Sequence, residues 1–278
     1  MDKQAGLHIR LETTMSSVAQ KAHELTAPFF QTFAIFPCGR YLQLSPQDQH
    51  TFLELRKQFG PLFLHASYWI NSATYTDQTT RLLERELTYA QVLGFDYLIL
   101  HPGAHSQTQT KQEGIDTIAR QLNAMLEKFG TVDIVLENVA HADRSIGGAL
   151  EELHAIKQLV DDPARIGFCI DTAHAYVYGY NIEIPDEQER FIDQLEQLLE
   201  FATIKIIHLN DTRQACGSHI DQHAIPGSGL IGLPALQRFA THPMFADTPM
   251  LLELPPLEQS KELRILNEIN ELIRRNKP

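Results

Sequence analysis

Ile166-Gly167-Phe168-Cys169-Ile170-Asp171-Thr172-Ala173-His174 decides how this chain reads. Residues 166–170 form a short apolar run of the kind that makes a buried strand. The run then delivers an aspartate and, three residues on, a histidine, and both residue types bind metal ions. A strand buried along its length and ending in metal ligands suits a closed barrel, in which strand ends converge on one mouth.

Strands of similar character are read at Gly6–Leu11, Phe29–Phe36, Leu62–Trp69, Tyr97–Pro102, Val132–Asn138, Ile204–Asn210 and Met250–Leu254. Amphipathic segments lie between them, for example Asp77–Leu93, Lys111–Phe129, Leu150–Val160, Gln188–Phe201 and Leu257–Arg275, with apolar residues at helical spacing. The loops are short, with turn residues at Pro102-Gly103 and Pro226-Gly227-Ser228-Gly229, and no Ser/Gly-rich or charge-block linker divides the chain. Eight strand–helix units in a chain of this length are what an α/β (β/α)8 barrel requires. We therefore expect one barrel domain over residues 1–278. An open doubly wound sheet is the rival, but no GxGxxG follows the first strand, which weakens a dinucleotide-binding version of it.

Strands three to eight end in His65, His101, Glu137, Asp171, His208 and Glu253. One such histidine reads as a core residue bonded to backbone. Six ligand-type residues in one register converge on a point, and unpaired charges buried there would each cost several kcal/mol. A cation is the compensating element. His174 follows strand six, and the loop after strand seven holds Asp221 and His223, two apart and so on one side of an extended segment. Carboxylates mixed with imidazoles, without thiolates, suit Zn²⁺ or Mn²⁺ in a catalytic site. Nine candidate ligands are too many for one ion, which implies two or three.

Bulk properties narrow the function further. The 43% hydrophobic content supports a substantial core, and the formal charge of −12 argues against nucleic-acid binding through a broad basic surface. Bound divalent cations could reverse that potential locally. Cys38, Cys169 and Cys216 form no CxxC pair, so neither a disulfide framework nor a thiolate zinc site is expected. The N-terminus has no apolar signal segment, and no run approaches the roughly 20 apolar residues that cross a bilayer. We expect a soluble cytoplasmic monomer without membrane contact. His105 reads as loop-structuring, His8 as a polar residue inside the barrel, and His23, His50, His154 and His242 as helical or exposed. His219 shares a side with Asp221 and His223 only if its loop is fully extended, and it is left out of the ligand set. His141 is close enough to matter but unassigned.

The motifs HPGAH, LEN, IDTAHA, HLND, GSHIDQH and LLELP, in that order, resemble those of endonuclease IV, a metal-dependent apurinic/apyrimidinic endonuclease family on a xylose-isomerase-like TIM barrel. The resemblance runs from His65 to Pro255. It implies a trinuclear zinc centre: His65, His101 and Glu137 for one ion, Glu137 bridging to a second held by Asp171, His208 and Glu253, and His174, Asp221 and His223 for the third. It also implies hydrolysis of the phosphodiester 5′ to an abasic site in double-stranded DNA, leaving a 3′-hydroxyl and a 5′-deoxyribose phosphate in base-excision repair, with removal of 3′ blocking groups as a second activity. Glu137 and Glu253 would orient the attacking hydroxide as well as bind metal. Tyr68 and Trp69 stand where the family pushes side chains into the minor groove, and Arg40 lies near a DNA-contacting arginine.

The chain departs from the family pattern at residues 139–148, at Ser228 and at Glu12-Thr13-Thr14, all near the face that would meet DNA. Two other functions remain to be separated from this one. A sugar or sugar-phosphate isomerase or epimerase on the same barrel would carry one or two metals. A binding module with a structural metal would carry few ligands in a closed site.

Overall fold

Successive side chains of a strand face opposite ways, and here that alternation fills the barrel from both sides. The computed structural model describes residues 4–274. Strands β1 (Ala5–His8), β2 (Phe30–Phe33), β3 (Phe63–His65), β4 (Tyr97–Leu100), β5 (Asp133–Glu137), β6 (Ile166–Asp171), β7 (Ile204–His208) and β8 (Met250–Leu252) pair in parallel. They close in the order β1-β8-β7-β6-β5-β4-β3-β2. The expected (β/α)8 barrel is therefore present, with all eight strands at their expected places.

Phe29, Phe63, Ile99, Val135, Cys169, Ile206 and Leu251 form a buried apolar cluster within the barrel. Gly6 contributes space rather than a side chain, since a Cβ there would lie 2.5 Å from the Phe29 ring. Two residues beyond each of these positions, on the same face of each strand, stand His8, Gln31, His65, His101, Glu137, Asp171, His208 and Glu253. The apolar layer is thus the floor and the polar layer the mouth. The opposite face, including Leu64, Leu98, Leu136, Phe168, Ile170 and Leu252, is buried in the larger core. Strands buried on both faces read as nearly continuous apolar runs.

Helix α1 spans Met15–Glu24, α2 Pro46–Arg56, α3 Asp77–Leu93, α4 Lys111–Lys128, α5 Leu150–Gln158, α6 Thr172–Tyr178, α7 Pro185–Leu199, α8 Leu233–Ala240 and α9 Gln259–Arg274. Arg275, the expected end of α9, lies outside the described residues. Helix α3 begins on Thr76, whose side chain accepts from the Thr79 N–H, and stops at Gly94 in the left-handed region (φ +67°). Thr14, one of the departures noted above, caps α1 reciprocally with Ser17. Among the described residues no helix is long and apolar enough to cross a membrane.

Most strands stop short of their expected C-terminal ends. The stretch read as Leu62–Trp69 leaves the sheet at His65, because the Ser67 N–H is taken by the Glu86 carboxylate instead of a neighbouring strand. Two small antiparallel ladders rise above the mouth, Gly103–Ala104 with Ser145–Ile146 and Asp211–Thr212 with His223–Ala224. The second brings the loop bearing Asp221 and His223 back over the barrel.

Candidate metal centre

Glu137, last residue of β5 and 1% exposed, is the centre of the polar layer. Its Oε2 lies 3.0 Å from Nε2 of both His65 and His101, and its Oε1 lies 2.9 Å from His208 Nδ1 and 3.5 Å from His174 Nδ1. Asp171 and Glu253 close a second group around His208, at 3.7 and 3.6 Å. A third gathers at the loop: Asp221 approaches His174 Nε2 at 3.4 Å and His223 Nε2 at 3.3 Å, while Asp171 stands 3.7 Å from His223. All nine expected ligand residues are thus brought together. Eight of them fall in three sets whose donor atoms lie within 4.8 Å of one another: His65, His101 and Glu137; Glu137, Asp171, His208 and Glu253; and Asp171, His174 and His223. In the last set Asp171 stands in the place expected of Asp221, which reaches that set only through His174 and His223.

Groups behind the cluster set the direction of each lone pair. His65 Nδ1 is 2.8 Å from the Ala66 carbonyl, and His174 Nδ1 is 2.9 Å from the Asn138 carbonyl. Donation there turns each Nε2 lone pair towards a carboxylate. His208 does the reverse, with Nε2 2.8 Å from Gln31 Oε1 and Nδ1 facing Glu137. Lone pairs aimed at carboxylates repel unless a proton or a cation lies between them. His223 Nε2, buried and without a hydrogen-bond partner, makes the same point. The donor set fits divalent cations.

The same amides fix the carboxylates. Gln31 Nε2 donates to Glu253 Oε1 (2.7 Å), and Asn210 Nδ2 donates to Asp171 Oδ2 (2.6 Å) and Glu253 Oε2 (3.0 Å). Asn138 Oδ1 accepts the Asp171 N–H (2.7 Å), and Asp171 in turn caps α6 by accepting the His174 N–H (2.8 Å). Sequence spacing assigns Gln31, Asn138 and Asn210 no roles, although LEN and HLND are among the motifs. The inward register of Gln31, two residues after Phe29, is the signal available for it.

Asp211 holds the upper loop. Fully buried, it accepts the N–H groups of Thr212 (2.8 Å) and Ile231 (3.0 Å) on Oδ1, and those of Gly227 and Gly229 (both 3.0 Å) on Oδ2. Gly229 is required by this approach, since a Cβ would sit 2.3 Å from the Thr212 carbonyl oxygen. Ser228, another departure, bonds back to the Ile225 carbonyl. Asp211→Ala strands these donors, and we expect a loss of about 3–5 kcal/mol in urea denaturation, together with weaker metal retention at His174 and His223. Unchanged stability would contradict the anchoring role.

Burial alone disfavours charge throughout the cluster, yet neighbouring groups outweigh it at most positions. Glu137 is held well below the usual carboxylate range by His208 and His101. Glu253 is lowered to about 2, mainly by His208. Against the same burial penalty, Glu137 raises His65, Asp171 and Asp221 raise His174, and the Glu253 and Glu137 carboxylates raise His208. His101, which shares Glu137 Oε2 with His65, moves down because desolvation prevails there. His8 reaches about 4, also by burial, and bonds Gln31 (2.9 Å), as a polar residue inside the barrel should. Cys169 lies close to Glu137 and His208, but burial pushes its thiol upwards, so it is a poor source of thiolate.

The remaining candidates line the approach. A cavity of about 320 Å³ is bordered by Tyr68, His101, His141, His174 and Asp221, and one of about 430 Å³ by His8, Tyr68, Asp221, His223 and Glu253. Tyr68 borders both, 68% exposed, with its ring 5.5 Å from that of His101. Trp69 is 72% exposed beside it, and Arg40 stacks on Phe36 (5.1 Å) in the loop after β2. His105 bonds the Ser106 carbonyl and joins none of the ligand sets among the described residues. His219 adopts φ +57°, so its loop is not fully extended, and its carbonyl lies 3.0 Å from His141 Nδ1.

The sequence profile of the xylose isomerase-like TIM barrel family matches residues 20–269. A probable endonuclease 4 from Halothermothrix orenii is 31% identical over 94% of this chain and 97% of its own length. The crystal structure of endonuclease IV from Thermus thermophilus superimposes with a TM-score of 0.83 at 27% identity, covering 96% of this chain and 99% of that one. A D-tagatose 3-epimerase-like protein, 20% identical with a TM-score of 0.72 over 96% of this chain and 98% of its own, shares the fold.

Proposed function

This chain belongs to the endonuclease IV family of xylose isomerase-like TIM barrels, and from that premise we propose a zinc-dependent endonuclease that incises DNA on the 5′ side of abasic sites. The products are a 3′-hydroxyl and a 5′-deoxyribose phosphate, and 3′ blocking groups are a second substrate. One observation carries the reading: four carboxylates and five imidazoles meet at the mouth of one barrel, sharing Glu137 and Asp171 among their sets. An isomerase site with one or two metals has no use for the third group.

His65, His101 and Glu137 would hold one Zn²⁺, Glu137, Asp171, His208 and Glu253 the second, and His174, Asp221 and His223 the third, with Mn²⁺ able to replace part of the set. When bound, the ions neutralise phosphate charge and supply a nucleophile at neutral pH. Glu253 stands at the cleft wall with one oxygen fixed by Gln31 and the other by Asn210, placed to orient the attacking water. His65, His208 and His174 keep their ring orientations through Ala66, Gln31 and Asn138, so the site needs little rearrangement before reaction. Cations held by these residues would also answer the net charge of −12, because they would offset the carboxylates where a phosphate binds. Tyr68 and Trp69 would wedge the minor groove at the lesion while Arg40 contacts the backbone. The protein would act as a monomer.

Protein purified without chelator should contain about three zinc ions per chain by elemental analysis. The same sample should incise a duplex carrying one tetrahydrofuran abasic analogue 5′ to the lesion. Full metal loading with no incision of any DNA would sink the proposal.

A further inference from the structure

Helix α3 carries an apolar stripe of Leu83, Leu87, Ala90 and Leu93, and a glutamate interrupts it at Glu86, fully buried. Burying a carboxylate is costly unless its oxygens are bonded, and none of the proposed ligand sets includes this one. Both oxygens accept the Ser67 N–H, at 3.1 and 3.2 Å, and Oε1 also accepts the Tyr41 hydroxyl at 2.8 Å. Burial pushes the carboxyl up to about 7 in spite of these donors.

The partners matter more than the acid. Ser67 precedes Tyr68 and Trp69, and its hydroxyl accepts the Trp69 N–H at 3.3 Å. Tyr41 follows Arg40 and closes the other loop, where Ile35 bridges Tyr41, Phe36 N–H donates to the Arg40 carbonyl, and Gly39 turns at φ +82°. Helix α3 grips Tyr41 from more than one side: the Arg85 guanidinium lies 4.8 Å over its ring, and the Tyr89 ring stacks on it at 6.5 Å. The loops after β2 and β3, which carry the exposed Arg40, Tyr68 and Trp69, therefore meet at one buried carboxylate. They also wall a shared groove of about 410 Å³.

We propose that Glu86 is a positioning residue that holds the Arg40 loop and the Tyr68–Trp69 loop in fixed relation across the DNA-facing surface. The role of those loops in binding rests on the function proposed above; their joint anchoring rests on geometry alone. A wedge and a backbone contact act together only if their separation is fixed, and a displacement near 1 Å can cost about 100-fold.

Trp69 is the only tryptophan in the chain, so its fluorescence anisotropy reports this loop directly, without DNA. Glu86→Ala and the milder Tyr41→Phe should raise the fast-decaying fraction of that anisotropy about two-fold, with metal content unchanged. Glu86→Gln keeps one acceptor oxygen and should fall between wild type and Glu86→Ala. For the abasic duplex, KM should rise about ten-fold with kcat within roughly two-fold, as expected for lost binding rather than lost chemistry. Wild-type anisotropy in both Glu86→Ala and Tyr41→Phe overturns the proposal, and so does loss of metal from folded Glu86→Ala, which would mean that the residue serves His65 instead. Loosened loops with an unchanged KM uphold the anchoring and count against the DNA role given to Arg40, Tyr68 and Trp69.

Discussion

Glu137→Gln is expected to lower incision of an abasic duplex by about 10³-fold or more while the protein remains folded. The carboxylate of Glu137 is within 3.5 Å of four imidazoles, and each oxygen serves a different set. Glutamine keeps the volume but offers one oxygen in place of two and no charge, so it cannot bridge two cations. The fold should survive, because the new amide can donate to one of the imidazole lone pairs around it. Metal content should drop with activity, and the third group at His174, Asp221 and His223 should be affected least. Glu253→Gln differs in kind. Gln31 and Asn210 already donate to the two Glu253 oxygens, so an amide there opposes one of those donors and misorients the side chain while most metal is retained. A Glu137→Gln variant with full metal content and more than about a tenth of wild-type incision would show that Glu137 is not the bridge.

The parts of this arrangement that sequence reveals are those with a period. Phe63 and His65, Ile99 and His101, Val135 and Glu137, Cys169 and Asp171, Ile206 and His208, and Leu251 and Glu253 are each two apart, and a strand puts each pair on one face. Barrel floor, barrel mouth and the candidate ligands follow from that spacing. Partners across the barrel leave no such trace, even where, as at Gln31 two residues after Phe29, the inward register itself is legible. Gln31 reaches His208 and Glu253, and Asn210 reaches Asp171 and Glu253, over separations that only closure of the sheet brings together. Asp211 closes the quoted HLND motif, but its task depends on four backbone amides whose directions a sequence does not state. Glu86 is legible in principle as a charge on the apolar stripe of α3, yet its partners lie in two loops with no periodicity. Strand ends read too long for a related reason, as with Ser67, whose N–H finds a side chain instead of the next strand.

Removal of the metals should abolish incision and reverse the pH response of stability. In the metal-free protein the carboxylates are held together by protonated imidazoles. His65, His174 and His208 are raised on folding, so their contribution is complete below the unfolded histidine value near 6.5 and is lost as pH rises through the raised values. Glu137 and Glu253 are lowered, so theirs is present above the unfolded value near 4.3 and is lost only as pH falls towards the lowered values. His8 and His101 are lowered by burial and weaken the fold below about pH 6.5, but both are neutral in either state above about pH 8. The raised Glu86 carboxyl has given up its share by about 7, and the raised Cys169 thiol adds only above the unfolded thiol value near 8.5. The alkaline limb above about pH 7 therefore belongs mainly to the three raised imidazoles, and the apo protein should lose stability between about pH 6.5 and pH 9. Metal competes with protons for the same nitrogens, so the stabilisation it gives grows as pH rises. A free-ion concentration 100 times Kd adds about 2.7 kcal/mol per independent site. Calorimetry of apo and metal-loaded protein at about pH 6 and pH 8.5 should show the two Tm values moving apart. An apo Tm that stays constant or climbs over that interval would mean that something other than charged imidazole holds Glu137, Asp171 and Glu253 together, and the assignment of these histidines as the groups that give way to metal would fail with it.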